Sequence, residues 1–232
     1  MDKIDELMDG IGMDKIALID YGAGNMASIT KALTHVGGKW MVVGASGKPE
    51  GAGALESFDK LVIPGVGAFI DGMKNLESRR LVEPIIRFAK SGKPLLGICL
   101  GFQILADEGT EFGYYKGLGI IPGRVLPLND YTNVNTSIPH IGWTAVRRAA
   151  EDWNGTLLSG LEDGFEAYFI HSYFVKLGNE AGMLAETRYG GFGFASVVRS
   201  GNVFGTQFHP EKSGDLGLKL LENFCRTAVS SK

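Results

Sequence analysis

One run, Pro94-Leu95-Leu96-Gly97-Ile98-Cys99-Leu100-Gly101-Phe102-Gln103, restricts the folds open to this chain more than any other. Its apolar residues read as a short buried strand, its Gly-x-Cys-x-Gly centre as a sharp turn, and its end as the start of a helix. In the serine version of this arrangement, a strained strand-to-helix turn lifts a nucleophile above a parallel sheet. Glycine is required on both sides because a side chain there would collide with the packed strand or helix. Unpaired N–H groups and the macrodipole at the helix start favour an anion and ease formation of a thiolate at Cys99. The plainer reading is a buried, inert core cysteine.

The segments around this turn predict an α/β fold. Lys15 to Asp20 reads as a strand, followed by the turn Tyr21-Gly22-Ala23-Gly24-Asn25 and a helix from about Met26 to Val36. Trp40–Val43 and Lys60–Ile63 read as strands, with a glycine-rich loop from Gly44 to Leu55 between them. Helical pattern then runs to about Lys90, broken near Ser78 and Pro84, and the helix after Cys99 is expected to reach about Asp107. Alternating strands and helices imply a parallel sheet covered on both faces. The second half reads instead as short strands at 119–126, 138–148, 165–170, 173–177, 183–188, 194–199 and 202–207, with a hairpin signal at Ser200-Gly201-Asn202. A last helix, from about Asp215 to Thr227, is apolar at Leu216, Leu220, Leu221 and Phe224. No linker or repeat divides the chain, so one domain is expected over 15–232, after an extension at 1–14 that has no assigned role.

Composition excludes several classes. A net charge of −3 with no basic cluster gives no footprint for nucleic acid. No apolar run approaches the ~20 residues of a membrane span, and the polar N-terminus lacks the apolar segment of a secretory signal. Cys99 and Cys225 are the two cysteines, too few for a disulfide framework, so a cytoplasmic location is expected. Cys225 falls on the last helix as a core or boundary residue. His35, His140, His171 and His209 are scattered without a close ligand pair, so no metal is expected. The turn at Gly22-Ala23-Gly24-Asn25-Met26-Ala27 fits a dinucleotide fingerprint. The acidic residue due some ~20 positions on is missing, however, since Glu50 comes late and within a loop. No cofactor is expected.

Two further motifs bear on chemistry. In Phe208-His209-Pro210-Glu211, side chains two apart on an extended segment share a side, so Glu211 can orient His209. Pro210 favours extended backbone before it and opposes a helix. The alternative is a chance His-x-Glu in a surface loop. In Pro64-Gly65-Val66-Gly67, the two glycines let N–H groups turn toward an oxyanion, or the segment is an ordinary strand-to-helix turn.

Together these residues resemble the class I, triad-type glutamine amidotransferases. Ile19-Asp20-Tyr21-Gly22-Ala23-Gly24-Asn25, Pro64-Gly65-Val66-Gly67-Ala68-Phe69, the Cys99 turn, His140-Ile141-Gly142-Trp143, Tyr168-Phe169-Ile170-His171-Ser172-Tyr173 and His209-Pro210-Glu211-Lys212-Ser213 are similar to the glutaminase-subunit family of imidazole glycerol phosphate synthases. The resemblance spans about residues 15–228. It implies a flavodoxin-like, open, mostly parallel sheet flanked by helices, with added antiparallel strands in the second half. It also implies that Cys99 attacks the side-chain amide of glutamine, that His209 moves the proton and that Glu211 orients His209. Backbone N–H groups of Leu100 and Val66 are implied as the oxyanion hole, and Gly67, Gln103, Glu111, Ser172 and Tyr173 as the glutamine site. The ammonia then passes to a (β/α)8-barrel cyclase subunit in a heterodimer, serving histidine biosynthesis. Trp143 and Tyr168 are either contacts with that barrel or core residues. Thr144 departs from the asparagine usual in the family, which puts an interface role there in doubt. Alternatives are the amidotransferase of another synthase, such as that of anthranilate or pyridoxal phosphate, and a non-catalytic binding protein on the same fold.

Overall fold

The first half of the chain alternates strand and helix because its apolar residues alternate between two buried faces. A computed structural model describes residues 14–44, 55–149 and 152–228. Residues 1–13, Glu50 and the middle of the expected Gly44–Leu55 loop lie outside the described residues. In chain order come β1 (Lys15–Ile19), α1 (Met26–His35), β2 (Lys39–Val43), β3 (Lys60–Ile63), α2 (Phe69–Ser78), α3 (Val82–Lys90), β4 (Leu95–Ile98) and the single turn α4 (Leu100–Gln103). The second half is mostly strand: β5 (Ala106–Gly109), β6 (Tyr115–Lys116), β7 (Ile121–Pro127), β8 (His140–Arg148), β9 (Phe165–His171), β10 (Tyr173–Leu177), β11 (Met183–Tyr189), β12 (Phe192–Ser200) and β13 (Val203–Thr206). Helix α5 (Gly214–Arg226) follows.

The main sheet has strand order β2-β1-β3-β4-β13-β12-β11-β8-β9, and a smaller sheet has order β10-β7-β5-β6. Strands β2 to β13 in the main sheet are parallel, and β12, β11, β8 and β9 extend it antiparallel. Ile16, Leu18, Val62, Leu96 and Ile98 point to one core with Ile29 and Leu33 of α1 and Leu220, Leu221 and Phe224 of α5. Their neighbours Ala17, Ile19, Leu61, Ile63 and Leu95 point to the other, under α2, α3 and the smaller sheet. Strands buried on both faces are unbroken apolar runs, as β3 and β4 are. Each fully buried Leu, Ile or Phe contributes about 1.5–3 kcal/mol of transfer free energy. The exception is Lys60, fully buried at the start of β3. Its ammonium is held by Asp14 at 2.7 Å and by the Cys225 carbonyl, which offsets a desolvation cost of several kcal/mol. Asp14 therefore has a place in the fold. Cys225 is half-buried on α5, at the core boundary as expected.

Three local expectations are corrected. The helix after Cys99 stops at Gln103, and Ala106–Gly109 is strand β5. The carbonyls of Ile104 and Leu105 accept N–H groups from Leu118, Ile120 and Ile121, so tertiary pairing replaces the helical ladder. Pro84 does not break a helix. It is the third residue of α3, where N–H groups lack intrahelical partners anyway, and the break falls at Arg79–Leu81. Leu216 is 43% exposed, because the buried face of α5 runs through Gly217, Leu220, Leu221 and Phe224.

Candidate active site

Cys99 sits where β4 ends, at φ 53° and ψ −109°, a conformation costly for a non-glycine residue by about 1–3 kcal/mol. Its N–H is held by the Thr206 carbonyl at 2.7 Å, and β4 is paired on both sides. The flanking glycines are dictated by contact. A Cβ on Gly101 would lie 1.7 Å from the Ile63 carbonyl oxygen, and one on Gly97 would lie 2.7 Å from that of Gly101. The expected help from a helix dipole is reduced, since α4 is a single turn.

His209 and Glu211 come to this turn from the end of β13. His209 Nδ1–H donates to Glu211 Oε1 at 2.8 Å, and both side chains are 1% exposed. The local geometry differs from the expected extended segment: Pro210–Lys212 is a 3-10 turn, with proline at its favoured first position. His209 Nε2 makes no hydrogen bond of ordinary geometry, although Cys99 is close enough to act on the ring. Burial alone would lower the His209 pKa. The negative charge of Cys99 and then Glu211 outweigh it, and the imidazolium is favoured.

A cleft of about 260 Å³ opens over Cys99. It is lined by each of the expected glutamine-site residues, Gly67, Gln103, Glu111, Ser172 and Tyr173, and by Val66 and Leu100. Gln103 is buried rather than solvated, and its amide donates to the Tyr173 carbonyl at 2.8 Å. Glu111 accepts the Phe69 N–H at the start of α2 at 2.7 Å. Burial raises the Glu111 pKa, that hydrogen bond opposes the rise, and Asp71 adds to it.

The oxyanion side departs from expectation. The Val66 N–H donates to Ala23 O at 2.8 Å, and the Leu100 N–H donates to Gly65 O at 3.3 Å. Neither donor is free for a substrate oxygen. The Gly65–Val66 peptide lies with its carbonyl toward Leu100 and its N–H toward the β1–α1 loop. Gly67 beside it has φ +115°, which favours glycine, and a Cβ on Gly65 would meet the Tyr21 hydroxyl at 2.0 Å.

Several contributors escaped the sequence reading. Asn25, at φ 69° before α1, donates its side-chain N–H to Glu211 Oε1. The supposed dinucleotide turn thus positions a carboxylate partner, and Arg79 fills the space next to Gly22 and donates to the Tyr21 carbonyl. Gln207 donates to the Cys99 sulfur at 3.8 Å, a role its spacing of two from His209 could have signalled. Ser213 donates to His209 O at 2.7 Å and accepts the Tyr168 N–H at 2.9 Å. Two of the supposedly scattered histidines also meet: His140 Nδ1 and His171 Nε2 are 3.1 Å apart. Cross-strand register on β8 and β9 pairs them.

The hydrogen-bond directions in that chain follow from its ends. His171 Nδ1 donates to the Tyr173 carbonyl at 2.9 Å, so its Nε2 accepts from His140 Nδ1–H. His140 Nε2 then accepts from the Thr144 hydroxyl at 2.8 Å. Both imidazoles favour the neutral form: burial lowers His140 to about 4, and burial, with the repulsion a protonated His140 would add, lowers His171 to about 3. Every ring nitrogen is occupied, which leaves no lone pair for a metal. Thr144 therefore serves an inward chain that ends at the cleft.

Trp143 is 53% exposed, which excludes core packing, and its ring meets half-buried Tyr168 at 6.1 Å between centroids. Ile141 and Ile170 are exposed on the same face of β8 and β9.

The chain matches the family model described as glutamine amidotransferase class-I over residues 17–228. It is 45% identical over 214 residues to imidazole glycerol phosphate synthase subunit HisH of Aquifex aeolicus, covering 92% of this chain and 97% of that protein. To subunit HisH 1 of Legionella pneumophila (strain Lens) it is 41% identical over 216 residues, 91% and 99% of the two chains. Among solved structures, PurLQS from Thermotoga maritima aligns with TM-score 0.67 at 20% identity over 92% and 98% of the two chains. A glutamine amidotransferase aligns with TM-score 0.66 at 23% identity over 90% and 98%. These two likenesses bear on the fold.

Proposed function

The chain belongs to the class I glutamine amidotransferase family, and from that premise we propose that it is the glutaminase subunit of imidazole glycerol phosphate synthase. It is an enzyme that hydrolyses L-glutamine to glutamate and ammonia for histidine biosynthesis. Residues 15–232 form one amidotransferase domain, and it works in the cytoplasm, where a thiol nucleophile stays reduced.

The observation that carries this reading is Cys99 on a strained turn at the floor of a cleft, close enough to act on His209, which is held by Glu211. The Cys99 sulfur attacks the side-chain carbonyl carbon of glutamine. The carbonyl π pair moves to oxygen, and the N–H groups of Leu100 and Val66 stabilise that charge. Imidazolium His209 gives its Nε2 proton to the amide nitrogen, the C–N bond breaks, and ammonia leaves a thioester on Cys99. His209 then takes a proton from water, hydroxide attacks the thioester, and the C–S bond breaks to release glutamate. Gln103, Ser172, Tyr173 and the Gly67 backbone surround the amino acid end, and the Glu111 carboxylate faces its ammonium.

The two oxyanion donors are tied up at rest, so the subunit alone is nearly silent. One rotation of the Gly65–Val66 peptide breaks both bonds and frees both donors together. The partner is a (β/α)8-barrel cyclase, which receives the ammonia and drives this rotation. Its docking face is the apolar strip of Ile141, Trp143, Tyr168 and Ile170, large aromatics at its centre as interfaces favour. Tyr168 shares Ser213 with His209, which gives the interface a mechanical link to the base.

Glutamine hydrolysis should be measured with and without the cyclase and its ligand. Strong activation and co-purification of the two chains are expected. Equal rates in both conditions sink the switch, and co-purification with a different synthase sinks the assignment of partner.

A further inference from the structure

Tyr21 carries a hydroxyl that has no hydrogen-bond partner, although the side chain is 1% exposed. A buried polar group of this kind is unusual enough to need a reason. The oxygen is packed against Gly65, where an added Cβ would lie 2.0 Å from it and 3.2 Å from the Leu100 Cβ. It therefore stands beside the one peptide whose rotation the proposed function requires.

The direction of that rotation matters. At rest the Gly65 carbonyl accepts the Leu100 N–H, and the Val66 N–H on the opposite side of the peptide donates to Ala23 O. Turning the peptide over sends the carbonyl toward the β1–α1 loop, where the Ala23 carbonyl already points. Two facing carbonyls repel, and the moved one loses its donor. Tyr21 belongs to that same loop. Burial, and secondarily the charge of Cys99, raises its pKa, so the phenol keeps its proton and remains a donor throughout the working range of the enzyme.

We propose that Tyr21 is a positioning residue whose hydroxyl receives the Gly65 carbonyl when the Gly65–Val66 peptide rotates, and so stabilises the form with an open oxyanion hole. At rest the hydroxyl is the orphan. After rotation it has an acceptor, and the Leu100 and Val66 N–H groups face the substrate oxygen. The reading rests on the proposed partner-driven switch and names the group that receives its moving part.

The test is Tyr21→Phe in the complete complex with the cyclase and its ligand, beside wild type. Phenylalanine keeps the ring and its packing and removes the orphan oxygen. The expected result is a fall in activated kcat of about tenfold, for loss of one buried hydrogen bond, with KM for glutamine unchanged. The melting temperature of the isolated chain should stay level or rise, because the resting state loses only an unsatisfied group. A structural role would lower the melting temperature and move KM with kcat. A switched wild type with an equally switched Tyr21→Phe overturns the role of Tyr21 alone. A wild type that the cyclase does not activate overturns the switch, and the role of Tyr21 with it.

Discussion

On one side of Cys99 the machinery stands assembled; on the other it is tied back. His209, Glu211 and Asn25 are already joined by hydrogen bonds. Across the sulfur, the Val66 and Leu100 donors are bonded to the protein itself. Keeping the base in place costs little, since the Glu211 carboxylate holds the buried His209 ring. An open oxyanion hole would leave the N–H groups of buried Leu100 and half-buried Val66 without a protein acceptor, and a buried orphan donor costs about 1–3 kcal/mol. In the proposed mechanism the resting state avoids that cost by folding the hole shut, which places control on transition-state stabilisation rather than on forming the nucleophile.

Variants that separate the two sides put this contrast at risk. Cys99→Ala removes the atom where they meet, and should cut glutamine-dependent cyclisation by roughly 10⁴-fold or more. Ammonia-dependent cyclisation by the complex should survive, and its loss would mean that Cys99 holds up the structure. Val66→Pro deletes a donor on the oxyanion side only. Activated kcat should drop on the order of 10²–10³-fold, while iodoacetamide alkylates Cys99 as fast as in wild type. Slowed alkylation would show that the two sides are not independent. Asn25→Ala loosens the base side, and kcat should fall on the order of tenfold, as for a hydrogen bond to a charged group. The ratio of activated to basal rate should be unchanged, and a collapsed ratio would make Asn25 part of the switch.

The smallest effect is on stability with pH. His140 and His171 titrate near 6.5 when unfolded, and folding lowers them to about 4 and 3. Between those values the unfolded chain binds more protons. Stability should therefore be intact above about 6.5 and fall below it, by about 1.4 kcal/mol per pH unit for each ring, until the folded values are reached. His209 has the opposite sign: its raised pKa gives stability that is present below the unfolded value and lost as pH rises through the folded one. Denaturant midpoints across pH should peak near neutrality. A flat acid limb would mean that the two buried rings are charged.

Much of this was legible in the chain because local rules and contacts agreed. Gly97 and Gly101 are read correctly because no side chain fits either place, and Lys60–Ile63 because a strand buried on both faces has nothing polar in its middle. Helix propensity past Gln103 loses to pairing of β5 with β7, fifteen and sixteen residues away in sequence. Asn25 and Tyr21 were visible as motif letters, yet their roles depend on Glu211 and Gly65, at long sequence separation. Periodicity carries no such information. The state of the Gly65–Val66 peptide was out of reach for the same reason, since its glycines permit two orientations and tertiary bonds select one.

The outermost strand, β9, is covered at mid-length by the turn after β13, where Tyr168 bonds to His209 and Ser213, but Ile141, Trp143 and Ile170 beside it stay exposed. A greasy strip of this kind invites unwanted association when nothing covers it. Under the proposed partnership, a cell that makes this polypeptide in surplus over the barrel accumulates material prone to clump. Matched synthesis of the two chains then protects solubility as well as flux, and light scattering from the isolated chain should fall as the barrel is titrated in.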